Sequence, residues 1–181
     1  MSYQALAIAN YFLERARLLG ESLDQMKVQE LVYLASGEHL AIKGEPLIDE
    51  QVEAWRYGPV IPSLHHAFHP PGDPPFDVPA SYLIPPGHRE TSPDAIEEVV
   101  PTIDTPIAPD HDFVRDLLDR VWQTYGGYTG IELSNMTHEP GSPWDQINKK
   151  YGGHIPKRTD IPVELMREHF LGLARREVAG E

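Results

Sequence analysis

Apolar residues recur along this chain at helical spacing in several separated stretches. Leu6, Ala9, Phe12, Leu13 and Ala16 predict a helix over residues 3–19, with Gly20 as its stop. Ser22 followed three residues later by Gln25 fits a capping box. The helix it opens carries Met26, Val28, Leu31, Val32, Ala35 and His39 on one side and ends near Gly44, with Lys27, Glu30 and Tyr33 off the densest apolar stripe. Residues 45–60 hold two short β-prone pieces, with Gly58-Pro59 read as the turn signal. Pro62 then sits early in a short helix over 61–68.

The second half is more regular. Val114, Leu117, Leu118, Val121, Trp122 and Tyr125 follow the i, i+3, i+4, i+7 pattern and predict a helix over 111–125, ended by Gly126-Gly127. Thr129 and Glu132 form another capping box, opening a helix to about His138. Ser142-Pro143 places an N-cap before a proline and starts a helix over 143–150. Pro162 begins the last one, with Val163, Met166, Phe170 and Leu173 on one face. The stretch between the halves differs. Eleven of the 18 prolines fall between Pro70 and Pro109, which excludes a long helix there. Ala80–Ile84 and Glu98–Ile103 are at most edge strands between those prolines. The fold class is therefore mainly α: a compact helical domain of about six helices with a small β element and a long proline-rich insertion. Residues 1–181 form one domain, and 69–109 are the insertion.

Composition narrows the function. The chain has no cysteine, so a disulfide framework and any thiol chemistry are excluded. No apolar run approaches the roughly 20 residues that span a bilayer, and no basic n-region precedes an apolar stretch at the N-terminus, so a cytoplasmic location is expected. Net charge is −13, from 28 acidic and 15 basic residues. That disfavours a polyanion as ligand, so no nucleic acid partner is expected; a basic protein would be drawn to the chain as a whole. The one basic cluster, Lys149-Lys150 with Lys157-Arg158, reads as a solvated loop.

Candidate chemistry is thin. His65 and His69 have i, i+4 spacing beside His66, but Pro70-Pro71 follow at once and no carboxylate has ligand spacing. Ser134, His138 and Glu139 bring a hydroxyl, an imidazole and a carboxylate close in sequence, without a nucleophile elbow. No phosphate-binding glycine loop is present. The expectation is a non-enzyme with no cofactor and no metal. The competing reading is a hydrolase or metal-dependent enzyme using Ser134, His138 and Glu139, or His65 and His69. Trp55, Tyr57, Trp122, Tyr125, Tyr128 and Trp144 form a generous aromatic set, of which Trp55 and Tyr57, flanking Arg56, are the better interface candidates.

Two segments resemble a known family. One is Lys27-Val28-Gln29-Glu30-Leu31-Val32-Tyr33, followed by Glu53-Ala54-Trp55-Arg56-Tyr57-Gly58-Pro59-Val60. The other is Leu133-Ser134, Thr137-His138 and Pro143-Trp144. In this order they resemble the Panacea antitoxin domain, found in SocA-like antitoxins and phage-associated GepA-like proteins. The resemblance implies a mainly helical domain that neutralises a small protein toxin by direct binding. In SocA-like members it also implies an adaptor delivering that toxin to a AAA+ protease of the ClpXP type. The partner-binding candidates are Lys27, Gln29, Tyr33, Glu53, Trp55, Tyr57, His138 and Trp144. The first six are expected to form one polar–aromatic cluster, with Lys27–Glu53 as an ion pair. An inter-element clasp without a ligand stands as the alternative for that cluster.

Overall fold

The computed structural model describes residues 2–68 and 111–179. In chain order these form α1 (Ala5–Leu19), α2 (Gln25–Lys43), β1 (Glu53–Trp55), β2 (Gly58–Val60), α3 (Pro62–Phe68), α4 (His111–Tyr125), α5 (Gly130–Thr137), α6 (Pro143–Lys150) and α7 (Val163–Ala179). The architecture is mainly helical with one two-stranded antiparallel sheet, as the pattern predicts. His69, Ala80–Ile84, Glu98–Ile103 and the rest of 69–109 lie outside the described residues.

α2 is the axis of the fold. It packs against α1, α3, α4, α5, α7 and β2, and fourteen of its nineteen residues are buried. A helix wrapped this way has no solvent face, so polar residues that the apolar stripe leaves aside, Lys27 and Glu30 among them, are enclosed by neighbouring helices. α7 reaches α2 through a close approach at Gly37, where a Cβ would lie 2.1 Å from the Phe170 ring. Val28, Leu31, Val32 and Ala35 join Phe12, Leu64, Val121, Leu133, Ile147, Met166 and Phe170 in one core.

Three local expectations change. The N-cap of α2 is Asp24, whose carboxylate accepts from Lys27 N at 2.8 Å, so the helix starts later than the Ser22–Gln25 box implies. Residues 3–4 are extended. Tyr3 bridges Ile48 in parallel, with Tyr3 N donating to the Leu47 carbonyl at 2.8 Å. The α1 N-terminus is served from a distance, as Glu50 accepts from Ala5 N at 2.9 and 3.0 Å. In the hairpin, Trp55 pairs with Gly58, so the turn is Arg56-Tyr57 and Gly58-Pro59 open β2. Pro59 does not break the ladder: Ala54, opposite it, turns its N–H to the other edge and donates to Thr159 O at 2.7 Å.

Candidate functional site

The hairpin is clamped from several sides, mostly by residues of the two signature segments. From α2, the Gln29 amide grips one residue of the backbone twice. Its Nε2 donates to Ile61 O at 3.1 Å and its Oε1 accepts from Ile61 N at 3.0 Å, completing the backbone just beyond β2 as a neighbouring strand would. From α6, Trp144 Nε1 donates to Trp55 O at 2.7 Å. From the end of α5, the His138 ring lies 4.3 Å from Trp144, centroid to centroid, and packs on Gly58. Gly58 has φ +129, and a Cβ there would stand 2.7 Å from His138 Cε1, so both conformation and space demand glycine. Within the hairpin, Trp55 Nε1 donates to Glu53 Oε2 at 2.7 Å. On the far edge of β1, Ala54 and Val52 bond Thr159 and Ile161.

The six residues expected to cluster do not all meet. Side chains two apart on a helix point to nearly opposite sides, so Lys27 and Gln29 cannot share a neighbour. Lys27 turns to α4, where Nζ donates to Gly126 O at 2.6 Å and lies 5.8 Å from the centre of the Trp122 ring. A cation there complements the negative end of α4. The expected Lys27–Glu53 ion pair therefore does not form: Lys27 is engaged at α4 and Glu53 with Trp55. Tyr33 turns to α7 and meets Phe170 edge-on at 5.8 Å. Lys27, Gln29 and Tyr33 are all buried, whereas Trp55, His138 and Trp144 are half-buried and Tyr57 is 56% exposed.

One buried residue that the sequence reading left without a role is Glu30, 4% exposed. Burial pushes its carboxyl up to about 8, against the smaller downward pull of the Thr137 and Ser134 hydroxyls on α5. Its Oε2 has no hydrogen-bond partner, and neither has the buried Tyr33 hydroxyl one turn away. Burial, with the nearby Glu30 charge second, also drives the Tyr33 phenol upward. A signal for Glu30 existed in the sequence: a carboxylate inside Val28-Gln29-Glu30-Leu31-Val32 leaves little room for a solvated face.

The enzymatic alternative finds no supporting geometry among the described residues. His138 Nδ1 is held against the Ser134 carbonyl oxygen, and the Ser134 hydroxyl is 3.4 Å from the same nitrogen. Glu139 is exposed, and the hydroxyl that a base would activate lies against a buried acid. His65 stands edge-on to Trp55 at 4.8 Å, with Gln25 Nε2 3.4 Å from its Nδ1. No group of three metal-ligating side chains occurs among the described residues.

The described residues form a helical body that holds the hairpin through α2, α5 and α6 and leaves its tip, Arg56 and Tyr57, exposed to solvent. The model for "Antitoxin SocA-like, Panacea domain" matches residues 28–145, and the chain belongs to that family. Antitoxin SocA of Caulobacter vibrioides (strain NA1000 / CB15N) is 28% identical over 169 residues, covering 93% of this chain and 83% of that protein. No solved structure matches the chain. The matched span holds the clamp residues Gln29, Gly58, His138 and Trp144; Lys27 lies one position before it.

Proposed function

We propose that this protein is the antitoxin of a toxin–antitoxin pair and neutralises a small protein toxin by direct binding. The observation that carries the reading is the match over 28–145. The exposed hairpin tip supports it, since a rigidly held turn bearing Tyr57 and Arg56 presents a partner with a surface that needs little ordering. Within this reading Trp55, Tyr57, His138 and Trp144 lie at or just beneath the contact surface, and Lys27, Gln29, Tyr33 and Glu53 hold it in place. The chain acts in the cytoplasm, as one Panacea-like domain with 69–109 inserted, and without an enzymatic step. Among the described residues no helix is long and apolar enough to cross a membrane. As a finer step, the protein hands its toxin to a AAA+ protease of the ClpXP type.

The test is co-expression with the product of the adjacent small gene. Growth rescue with a co-purifying complex, and a raised melting temperature when the two are mixed, is the expected result. Rescue that requires an intact protease and leaves no stable complex favours delivery over occlusion. A neighbour that is harmless alone and does not bind removes the proposal.

A further inference from the structure

We infer that the hairpin tip and the loop returning from α6 form one docking surface, and that it receives an acidic segment of the toxin. The inference rests on the antitoxin reading and adds the surface and its chemistry. Two independent contacts bring the parts together. Trp144, near the start of α6, bonds Trp55 O, which lays α6 against the hairpin. Asp160 bridges Glu53 in antiparallel register, so the residues before it run toward the tip along the outer edge of β1. The residues just before Thr159, Lys157 and Arg158, thus run beside Arg56 and Tyr57.

Toward the tip this surface is basic, with Arg56, Lys157 and Arg158, while Glu53 is engaged by Trp55 Nε1 and Asp160 is the exposed carboxylate at its base. Lys157 and Arg158 are exposed and make no ion pair among the described residues. Arg56 lies over the exposed Tyr57 ring at 5.0 Å. Cations held over exposed aromatic rings offer charge and apolar area together, the combination that anchors interfaces. Net charge −13 does not argue against this. Eight of the 28 acidic residues fall in 69–110 with only one of the 15 basic ones, so much of the negative balance comes from outside the described body. The backbone is shaped as well as charged: Gly152 and Gly153 have φ +60 and +84, Arg158 has φ 59, and Gly153 N donates to Asn148 O at 2.9 Å. A polypeptide suits this patch better than nucleic acid, because it is small and lies on a net acidic chain, whereas phosphate backbones demand a broad basic track.

The experiment uses the full chain and the purified product of the adjacent small gene, with binding followed by calorimetry and stopped flow at low and high salt. Three variants are compared with wild type: Tyr57→Ala, the double change Lys157→Glu/Arg158→Glu, and the control Arg115→Glu/Arg175→Glu on α4 and α7. All four sites of charge change and Tyr57 are exposed, so circular dichroism melting is expected to match wild type and excludes misfolding as the cause. The expected result is affinity weakened at least about tenfold by Tyr57→Ala. The double change at 157 and 158 slows association about tenfold and removes most of its salt dependence, and the control leaves both within about twofold. Tight wild-type binding that all three variants retain overturns the surface and leaves the antitoxin reading standing. A wild-type chain that does not bind the neighbour's product removes both. Salt-dependent binding of a short DNA duplex, lost on changing 157 and 158 while toxin binding is kept, overturns it in favour of nucleic acid.

Discussion

Replacing Glu30 by glutamine should stabilise the protein relative to wild type near neutral pH, by a margin that grows as pH rises from 4.5 to about 8. In the unfolded chain this carboxyl titrates near its ordinary value of 4.5; in the fold, burial moves it to about 8. A raised acid is neutral in the fold where the unfolded chain is already ionised. Its favourable contribution is therefore complete below the unfolded value and is lost as pH rises through the window to the folded one. Each pH unit of that window subtracts about 1.4 kcal/mol, so near pH 7 the wild type has lost about 3 kcal/mol relative to acid conditions through this one group. Glutamine has the same shape and no charge at any pH. Its imperfect match to Ser134 and Thr137 costs about 1 kcal/mol, independent of pH.

The difference in unfolding free energy, Glu30→Gln minus wild type, isolates the effect because every other titrating group appears in both proteins. It should be slightly negative near pH 4.5, reach about +2 kcal/mol near pH 7 and level off above pH 8. Urea denaturation at four pH values measures it, and the melting temperature should rise by about 5 °C near neutrality. A difference that stays flat with pH, or falls as pH rises, would refute the argument that burial holds this carboxyl neutral.

Other outcomes follow from the clamp. Gly58→Ala meets both a positive φ and the His138 ring at 2.7 Å and should cost about 3 kcal/mol, read by denaturant unfolding; a loss under 1 kcal/mol would mean the His138–Trp144 pair moves freely. Gln29→Leu strands the buried Ile61 N–H, while the Ile61 carbonyl keeps the His65 N–H at 3.1 Å, and should cost about 1–3 kcal/mol, with amide exchange at Ile61 faster than at the paired residues of the hairpin. Gly37→Ala places a methyl inside the Phe170 ring and should cost about 2–4 kcal/mol, with Phe170→Leu in the same chain recovering much of it. Trp144→Phe removes the donor to Trp55 O and part of the ring that packs on His138, so a loss of about 2 kcal/mol is expected by thermal unfolding.

What the sequence disclosed depended on whether the information was local. α4 and α6 begin and end where periodicity and capping place them, because their signals are self-contained: an unbroken apolar face in one and Ser142-Pro143 in the other. The Thr129–Glu132 box of α5 forms in full. The expectations that changed were decided by distant partners. Glu50 takes over the α1 N-terminus across 45 residues, and the Tyr3–Ile48 bridge pulls residues 3–4 out of the helix. The Thr159 edge relieves Pro59, letting the turn fall at Arg56-Tyr57. The signature cluster split for the same reason. Lys27, Gln29 and Tyr33 are close in sequence, but on a helix they address α4, the hairpin and α7 in turn.

That splitting bears on where specificity resides. Gln29, Gly58, His138 and Trp144 each have an assignment within the joint, and each is needed whatever the partner is. A pattern built from such residues reports the architecture of the hairpin mount. Tyr57 differs, because it stands mostly in solvent, and Arg56 beside it is exposed as well. Lys157 and Arg158, which lead into the strand edge at Thr159, lie beyond the matched span, which ends at residue 145. Under the proposed toxin binding, one fold would carry different specificities by keeping the clamp and changing the charge and aromatic content of the tip and of Lys157 and Arg158. On that view, exchanging Arg56, Lys157 and Arg158 for the residues at the corresponding places of another antitoxin in the family should redirect binding with little change in melting temperature. Exchanging Gln29 or Gly58 should unfold the hairpin without redirecting anything.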